Sequence, residues 1–318
     1  MASKKKKNSS TKYFEIIVIL FWLLIFILIF SQLNIFYYKN IPVSGINWIR
    51  YSIRGSSKPQ YLENVKNIFL SSNNQKLDVE LKPNITTLFD GWDVKLNRIT
   101  HIHINSDGFR DYEYTKEKKK NMFRVIILGD SFTFGSGLEL NETYSKILEK
   151  RLNFLIKNRY EVLNFGVPGY ALSNEVEQLR VKALNYSPDL IIIGITLAND
   201  FKLNHSSNQL IDCLKERKLC DSRLENQLNE LHAITSNLHI PVLLVVINDI
   251  RYNNESEKLL MKLSEEYGFY FLSFDFIFTN IPKEKLEIFY PYDGHLSPLG
   301  HTLIADGIYK FLITHRLM

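Results

Sequence analysis

Five short runs of β-branched and aromatic residues, separated by stretches long enough for a helix, limit what this chain can fold into more than any other feature. They read "RVIIL" (Arg124–Leu128), "YEVLN" (Tyr160–Asn164), "LIIIGI" (Leu190–Ile195), "PVLLVVI" (Pro241–Ile247) and "FYFL" (Phe269–Leu272). A strand that is apolar on both sides has to be covered on both, as the strands of a parallel sheet are. The intervening segments can supply the covers. Thr143–Leu155 begins behind Asn141 as a cap, Ser173–Leu184 follows a Gly-Tyr turn, and Arg223–Leu238 puts Leu224, Leu228, Leu231 and Leu238 on one stripe. A last helix is expected from Pro298 to Leu312. The pattern predicts an α/β domain of three layers, α/β/α, around a central five-stranded parallel sheet. In such sheets the working residues gather at the carboxyl ends of the strands.

The candidates for chemistry fall at those ends. "ILGDSFTFGSG" (Ile127–Gly137) closes the first strand with a glycine-rich turn that exposes Ser131 at a helix start, although serine also favours such positions for capping alone. A nucleophilic serine needs a base, and "YPYDGHLSPLGH" (Tyr290–His301) offers His295 with Asp293 beside it. In the chemistry this permits, His295 takes the Ser131 proton while Asp293 fixes its tautomer and stabilises the imidazolium. A developing oxyanion needs preorganised donors. "NFGVPGY" (Asn164–Tyr170) supplies the Gly169 N–H, and "LANDF" (Leu197–Phe201) supplies the Asn199 amide. Each block has a bland reading as strand-end punctuation. Their occurrence in this order, after successive elements, points to acyl transfer.

Taken together, "GDSFTFG", "NFGVPGY", "LAND" and "DGH" resemble the four blocks of the SGNH, or GDSL, hydrolase superfamily. The resemblance covers about the last two-thirds of the chain. It implies a flavodoxin-like sheet, ester chemistry without metal or other cofactor, and an oxyanion hole made by the Ser131 and Gly169 N–H groups and the Asn199 side chain. "NSDGFRD" (Asn105–Asp111) resembles membrane-anchored bacterial members of the group. Two features depart from the family pattern. Leu197 stands where a glycine usually precedes the asparagine by two places, and one residue rather than two separates Asp293 from His295. The shorter spacing resembles exported polysaccharide O-acetylation proteins of the same superfamily.

Several other residues invite a role. Asp130 is expected to point into its turn and accept backbone hydrogen bonds, Asp275 to cap the segment after the fifth strand, and His301 to pack. His101 and His103 in "HIHIN" share one strand face but lack a third ligand, which favours a solvated or hydrogen-bonded pair over a metal site. Cys213 and Cys220 would stand roughly 10 Å apart along a regular helix, too far to bond. Either the segment is a loop that carries a disulfide, or both thiols are free.

The N-terminal region carries a different signal. Ile16–Tyr38 holds no charge over 23 residues, which as a helix would extend about 34 Å, enough to cross a bilayer. Lys4, Lys5, Lys6, Lys7 and Lys12 precede it and favour a cytoplasmic N-terminus. The run is long for a cleaved signal peptide, no A-x-A-like site follows Phe30, and the span has no polar face that would suit a core helix. The expected organisation is a basic tail (1–12), a transmembrane signal anchor (13–38), a stalk or lead-in (39–103) with "KLDVEL" (Lys76–Leu81) as a strand and "GSSKP" as a turn, and an extracytoplasmic hydrolase domain (104–318). Those five lysines account for the whole net charge of +5, so nothing in the body suggests a nucleic-acid surface.

The expected activity is a serine-dependent esterase acting on O-acyl groups of cell-envelope glycans. An O-acetyltransferase using the same site would need a multi-span membrane partner to deliver acetyl. A glycan-binding or scaffold protein without catalysis is the alternative of another class.

Overall fold

The computed structural model describes residues 68–90, 99–154, 156–197, 217–247, 254–274 and 295–318. The apolar segment Ile16–Tyr38, "GSSKP", Asn199, Asp275, Asp293 and Cys213 lie outside them. Among the described residues no helix is long and apolar enough to cross a membrane.

Two antiparallel hairpins come first: β1 (Phe69–Ser71) with β2 (Val79–Leu81), and β3 (Ile85–Asp90) with β4 (Ile99–Ile104). The β2 strand is shorter than the "KLDVEL" alternation predicts. Its first half is taken by a turn in which the Asn74 carbonyl accepts from the Leu77 and Asp78 N–H groups, and Asp78 sits at φ +63. β4 alternates buried and exposed residues, so Ile102 and Ile104 face inward while His101 and His103 face out. His103 pairs with Thr86 Oγ1 at 2.9 Å and His101 with Glu139 at 3.1 Å.

The rest of the chain alternates. β5 (Phe123–Gly129) leads to α1 (Ser131–Phe134) and α2 (Tyr144–Leu152), β6 (Tyr160–Gly166) to α3 (Leu172–Val181), and β7 (Leu190–Ile195) to α4 (Arg217–Leu238). β8 (Val242–Val246) leads to α5 (Asn254–Tyr267), and β9 (Tyr270–Ser273) is followed by α6 (Pro298–Thr314). The five strands pair in parallel in the order β6-β5-β7-β8-β9. The chain steps from β5 outward to β6 and then back to β7, and sheets of this order hold their ligands beyond the carboxyl ends at that reversal.

Both faces are covered, as the unbroken apolar strands require. Ile126, Leu128, Ile191 and Ile193 pack against Leu172 and Val176 of α3, Leu224, Leu228 and Leu231 of α4, and Leu260 of α5. Val125, Ile127, Ile192 and Val245 pack against Tyr144, Leu148 and Leu152 of α2 and Ile304, Ala305 and Ile308 of α6. A third cluster joins Ile68, Leu77, Leu81, Ile102 and Ile104 of the hairpins to Phe134, Val167 and Tyr170. The hairpins therefore buttress the turns that leave β5 and β6.

Some helix boundaries differ from the sequence expectation. α2 starts two residues later than a cap at Asn141 would place it, because Thr143 is the cap and Asn141 lies in a 3-10 turn ahead of it. α3 stops at Val181 and is followed by a 3-10 turn, Ala183–Tyr186. α4 begins at Arg217 and includes Cys220. Leu238, at the end of the predicted stripe, is 51% exposed where the helix runs past its neighbours.

β6 is an edge strand, yet its free side is filled. Asn153 accepts from the Tyr160 N–H at 3.0 Å and donates to its carbonyl at 2.8 Å. Glu149 accepts from the Val162 N–H at 2.8 Å, Lys146 donates to the Val162 carbonyl, and Asp111 accepts from the Asn164 N–H at 2.7 Å. Side chains thus imitate the missing neighbour strand, which blunts an edge that would otherwise template association. Lys146 and Asp111 are both buried and 2.8 Å apart. Burial works against the Lys146 charge, but the Asp111 and Glu149 carboxylates more than offset it, so its pKa is raised.

Removing one member of a buried pair leaves the other charge uncompensated. Asp111→Ala should therefore cost about 3–5 kcal/mol in unfolding free energy, read as a lower urea midpoint at unchanged slope, whereas Glu255→Ala, on an exposed helix face, should cost less than about 1 kcal/mol.

Candidate active site

The carboxyl ends of three neighbouring strands carry a row of glycines: Gly129 of β5 lies in register with Gly166 of β6 and Gly194 of β7. The row makes a shelf without side chains, and α1 rests on it. A Cβ at Gly166 would stand 2.6 Å from the Thr133 carbonyl carbon and 2.8 Å from Phe134 Cα. One at Gly194 would meet Thr133 Oγ1 and the Tyr144 hydroxyl, each at 2.7 Å. Only glycine lets the helix approach this closely.

Ser131 is the first residue of α1. Asp130 caps the helix, its carboxylate accepting from the Phe132 N–H at 2.9 Å. That is the role expected of Asp130, and it leaves the next residue at the rim of the turn. The helix ends after one turn at Gly135, a left-handed cap with φ 78.

Arg110 holds that end in place. It is 1% exposed, and its guanidinium donates to the carbonyls of Phe134 (3.0 Å), Gly135 (2.7 Å), His101 (3.2 Å) and Leu138. Burial lowers its pKa to about 10, with Glu139, Asp111 and Glu142 pulling the other way. It therefore stays charged at neutral pH. A planar fork with five donors suits a cluster of carbonyls in a way an ammonium does not.

His295 arrives from the other end of the chain, just ahead of Ser297, which caps α6. Its Nε2 lies 2.8 Å from Ser131 Oγ. The ring leans on Phe132, with centroids 5.0 Å apart. A hydroxyl and an imidazole at this distance can exchange a proton, the first requirement of a serine nucleophile.

Gly169 lies in the turn between β6 and α3 at φ +87, with open space where a Cβ would be. Its glycine is required by backbone conformation rather than by crowding. The turn is tied to the shelf by Val167 N–H donating to the Gly129 carbonyl at 3.0 Å. It is tied to the hairpins by the Tyr170 hydroxyl donating to the Val79 carbonyl at 2.6 Å. Among the described residues, neither the Ser131 nor the Gly169 N–H has a hydrogen-bond acceptor.

His301, expected to pack, does so and more. It is 1% exposed, and its Nδ1 accepts from the Tyr144 N–H at 3.0 Å. Burial first, then the nearby His295 and Arg110, lowers its pKa to about 3.

The structure thus brings Ser131 and His295 together and sets Gly169 in a turn fastened beside them, while Asn199 and Asp293 lie outside the described residues. Sequence reasoning missed Arg110 and the glycine shelf. "NSDGFRD" stands out by resemblance, but the clamp depends on which carbonyls the fold presents to Arg110. The shelf depends on register between strands, which no local pattern encodes.

Comparison with known proteins adds a family. The model of the GDSL-like lipase/acylhydrolase family matches residues 127–303, more than half of the chain. No curated protein matches at the level of sequence. Among solved structures, a lipase/acylhydrolase from Enterococcus faecalis aligns at 17% identity over 61% of this chain and 97% of its own, with a TM-score of 0.45. The psychrotrophic esterase EstA from Pseudoalteromonas sp. aligns at 17% identity over 60% and 97%, with a TM-score of 0.46. An acetyl xylan esterase, AlAXEase, aligns at 17% identity over 60% and 100%, with a TM-score of 0.48.

Two outcomes follow from the site's geometry. Gly166→Ala should lift α1 from the shelf and slow ester turnover by roughly a hundredfold or more, the scale of a 1 Å misplacement, measured with a chromogenic acetyl ester. For His301, the folded pKa lies below the unfolded value of 6.5. Its contribution to stability is then complete above about pH 6.5 and is lost as pH falls toward about 3, because the unfolded chain binds the extra proton. Urea midpoints should fall across this window in the parent and fall less steeply in His301→Asn.

Proposed function

The chain belongs to the GDSL-like lipase/acylhydrolase family and is an esterase of the SGNH type, and from that premise we propose that Ser131, His295 and Asp293 form its catalytic triad and that it acts on O-acyl, chiefly O-acetyl, groups of cell-envelope glycans. The observation that carries the chemistry is the 2.8 Å separation of Ser131 Oγ and His295 Nε2.

In this reading Ser131 Oγ attacks the ester carbonyl as His295 Nε2 takes its proton. The tetrahedral oxyanion is held by the N–H groups of Ser131 and Gly169 and the Asn199 amide. Collapse breaks the bond to the sugar oxygen, which leaves with the proton from His295. Water, deprotonated by His295, then releases the acid and restores the serine. Asp293 orients the imidazole and stabilises its cationic form. If a second sugar hydroxyl replaces water, the same intermediate gives acetyl transfer.

The substrate class is supported by the short Asp293–His295 spacing, which resembles exported polysaccharide O-acetylation proteins. The location is supported by the uncharged run Ile16–Tyr38 behind five lysines, which favours a signal anchor with the catalytic domain outside the cytoplasm.

A fluorophosphonate should label Ser131, and Ser131→Ala should abolish labelling and turnover while changing stability by only about 1 kcal/mol. Asn199→Ala should slow turnover roughly a hundredfold. Asp293→Asn should lose on the order of a thousandfold or more, with Asp275→Asn close to the parent. Incubation with isolated envelope polymers should release free acetate; acetyl recovered only on an added glycan acceptor would identify a transferase. An exported-only reporter fused after Met318 should be active, and its silence would overturn the assigned topology.

A further inference from the structure

Ser131 and His295 stand 164 positions apart in the chain, and no local element sets their separation. We infer that His301 is a positioning residue that fixes this distance by locking the helix that carries the base to the helix that carries the nucleophile. The inference rests on Ser131 and His295 being nucleophile and base.

The base side is rigidly attached to α6. Only buried Leu296 and the cap residue Ser297 separate His295 from that helix, and Ser297 Oγ accepts from the Gly300 N–H at 3.4 Å. One turn further on, His301 Nδ1 accepts from the N–H of Tyr144, the first residue of α2. That donor has no partner within its own helix, and a backbone N–H can only donate, so Nδ1 has to be the unprotonated ring nitrogen. The two rings also stack, with centroids 5.6 Å apart and planes 28° from parallel.

The nucleophile side completes the circuit. Tyr144 OH lies 2.7 Å from Thr133 Oγ1, and Thr133 is two residues from Ser131 in α1. Both oxygens fill the space left by the absent side chain of Gly194. Thr133, Tyr144 and His301 are each at most 1% exposed. A closed ring of contacts therefore runs from Ser131 through Thr133, Tyr144 and His301 to α6 and His295, and back to Ser131 across 2.8 Å. Buried polar contacts of this kind have few alternatives, since breaking one strands its partner.

An asparagine at 301 can offer its Oδ1 near the place of Nδ1, whereas a leucine of similar bulk offers no acceptor. The test uses the full-length chain and reads three quantities: the rate of fluorophosphonate labelling of Ser131, kcat and KM for p-nitrophenyl acetate, and thermal unfolding. His301→Leu and Tyr144→Phe should each slow labelling and kcat at least about tenfold with KM within about twofold, the pattern of a misplaced catalytic pair rather than a lost binding contact. His301→Asn should restore labelling to within about threefold of the parent.

A folded His301→Leu that labels at the parental rate, or His301→Asn as slow as His301→Leu, overturns the inference. If His301→Leu fails to fold, Tyr144→Phe, which deletes one oxygen, decides: parental labelling overturns the inference and slow labelling supports it. A parent that fluorophosphonate does not label defeats the nucleophile assignment and this inference with it. A labelled parent with indifferent variants defeats this inference alone.

Discussion

Helix α1 has four residues, too few to hold a helical shape unaided, so the position of Ser131 is imposed by what surrounds it. Below, the glycine row leaves a flat shelf at the carboxyl ends of β5, β6 and β7. At the far end, the Arg110 guanidinium gathers the carbonyls that a one-turn helix leaves open. On the sheet side, Asn164 donates to the Thr133 carbonyl at 2.9 Å and accepts from the Gly166 N–H at 3.0 Å. Serine at such a turn has little freedom to retreat. The same confinement lets a histidine from the opposite end of the chain find it.

One segment links this site to the stability of the fold. In Asn105–Asp111, Asn105 accepts from the Asp107 and Phe109 N–H groups and so shapes the turn. Phe109 stacks on Phe165 at 4.4 Å, Arg110 grips the turn that carries Ser131, and Asp111 closes the exposed edge of β6. Three consecutive side chains thus serve the core, the site and the sheet edge. The hairpins before them add a fourth connection, because their apolar faces pack on Phe134 and Tyr170 beside the site.

The legible parts of the fold were those with a local cause. All five sheet strands show in the sequence as short apolar runs, the pattern of strands covered on both faces; β7 and β8 are buried at every residue, whereas β9, at the sheet edge, is half-buried. Helix starts were less legible: Asn141 and Thr143 are both good caps, and the choice falls to the one whose side chain meets the Lys146 N–H. In the first hairpin the strands are only three residues long, and the cover of both hairpins comes from residues far along the chain. Ser131 and His295 stand out in the sequence by spacing and chemistry, and the fold sets them 2.8 Å apart. Arg110, Tyr144 and the glycine row could not, because each acts through a register or contact that exists only in the folded chain.

The central claim is that an acyl group passes through Ser131. Rapid acid quenching during turnover of an acetyl ester, followed by peptide mass spectrometry, tests it most directly. The account predicts one acetyl group on the peptide that bears Ser131, formed within the first turnover and lost on standing before the quench. Steady turnover with that peptide unmodified, or an acetyl group that forms on another residue at the rate of turnover, would contradict it.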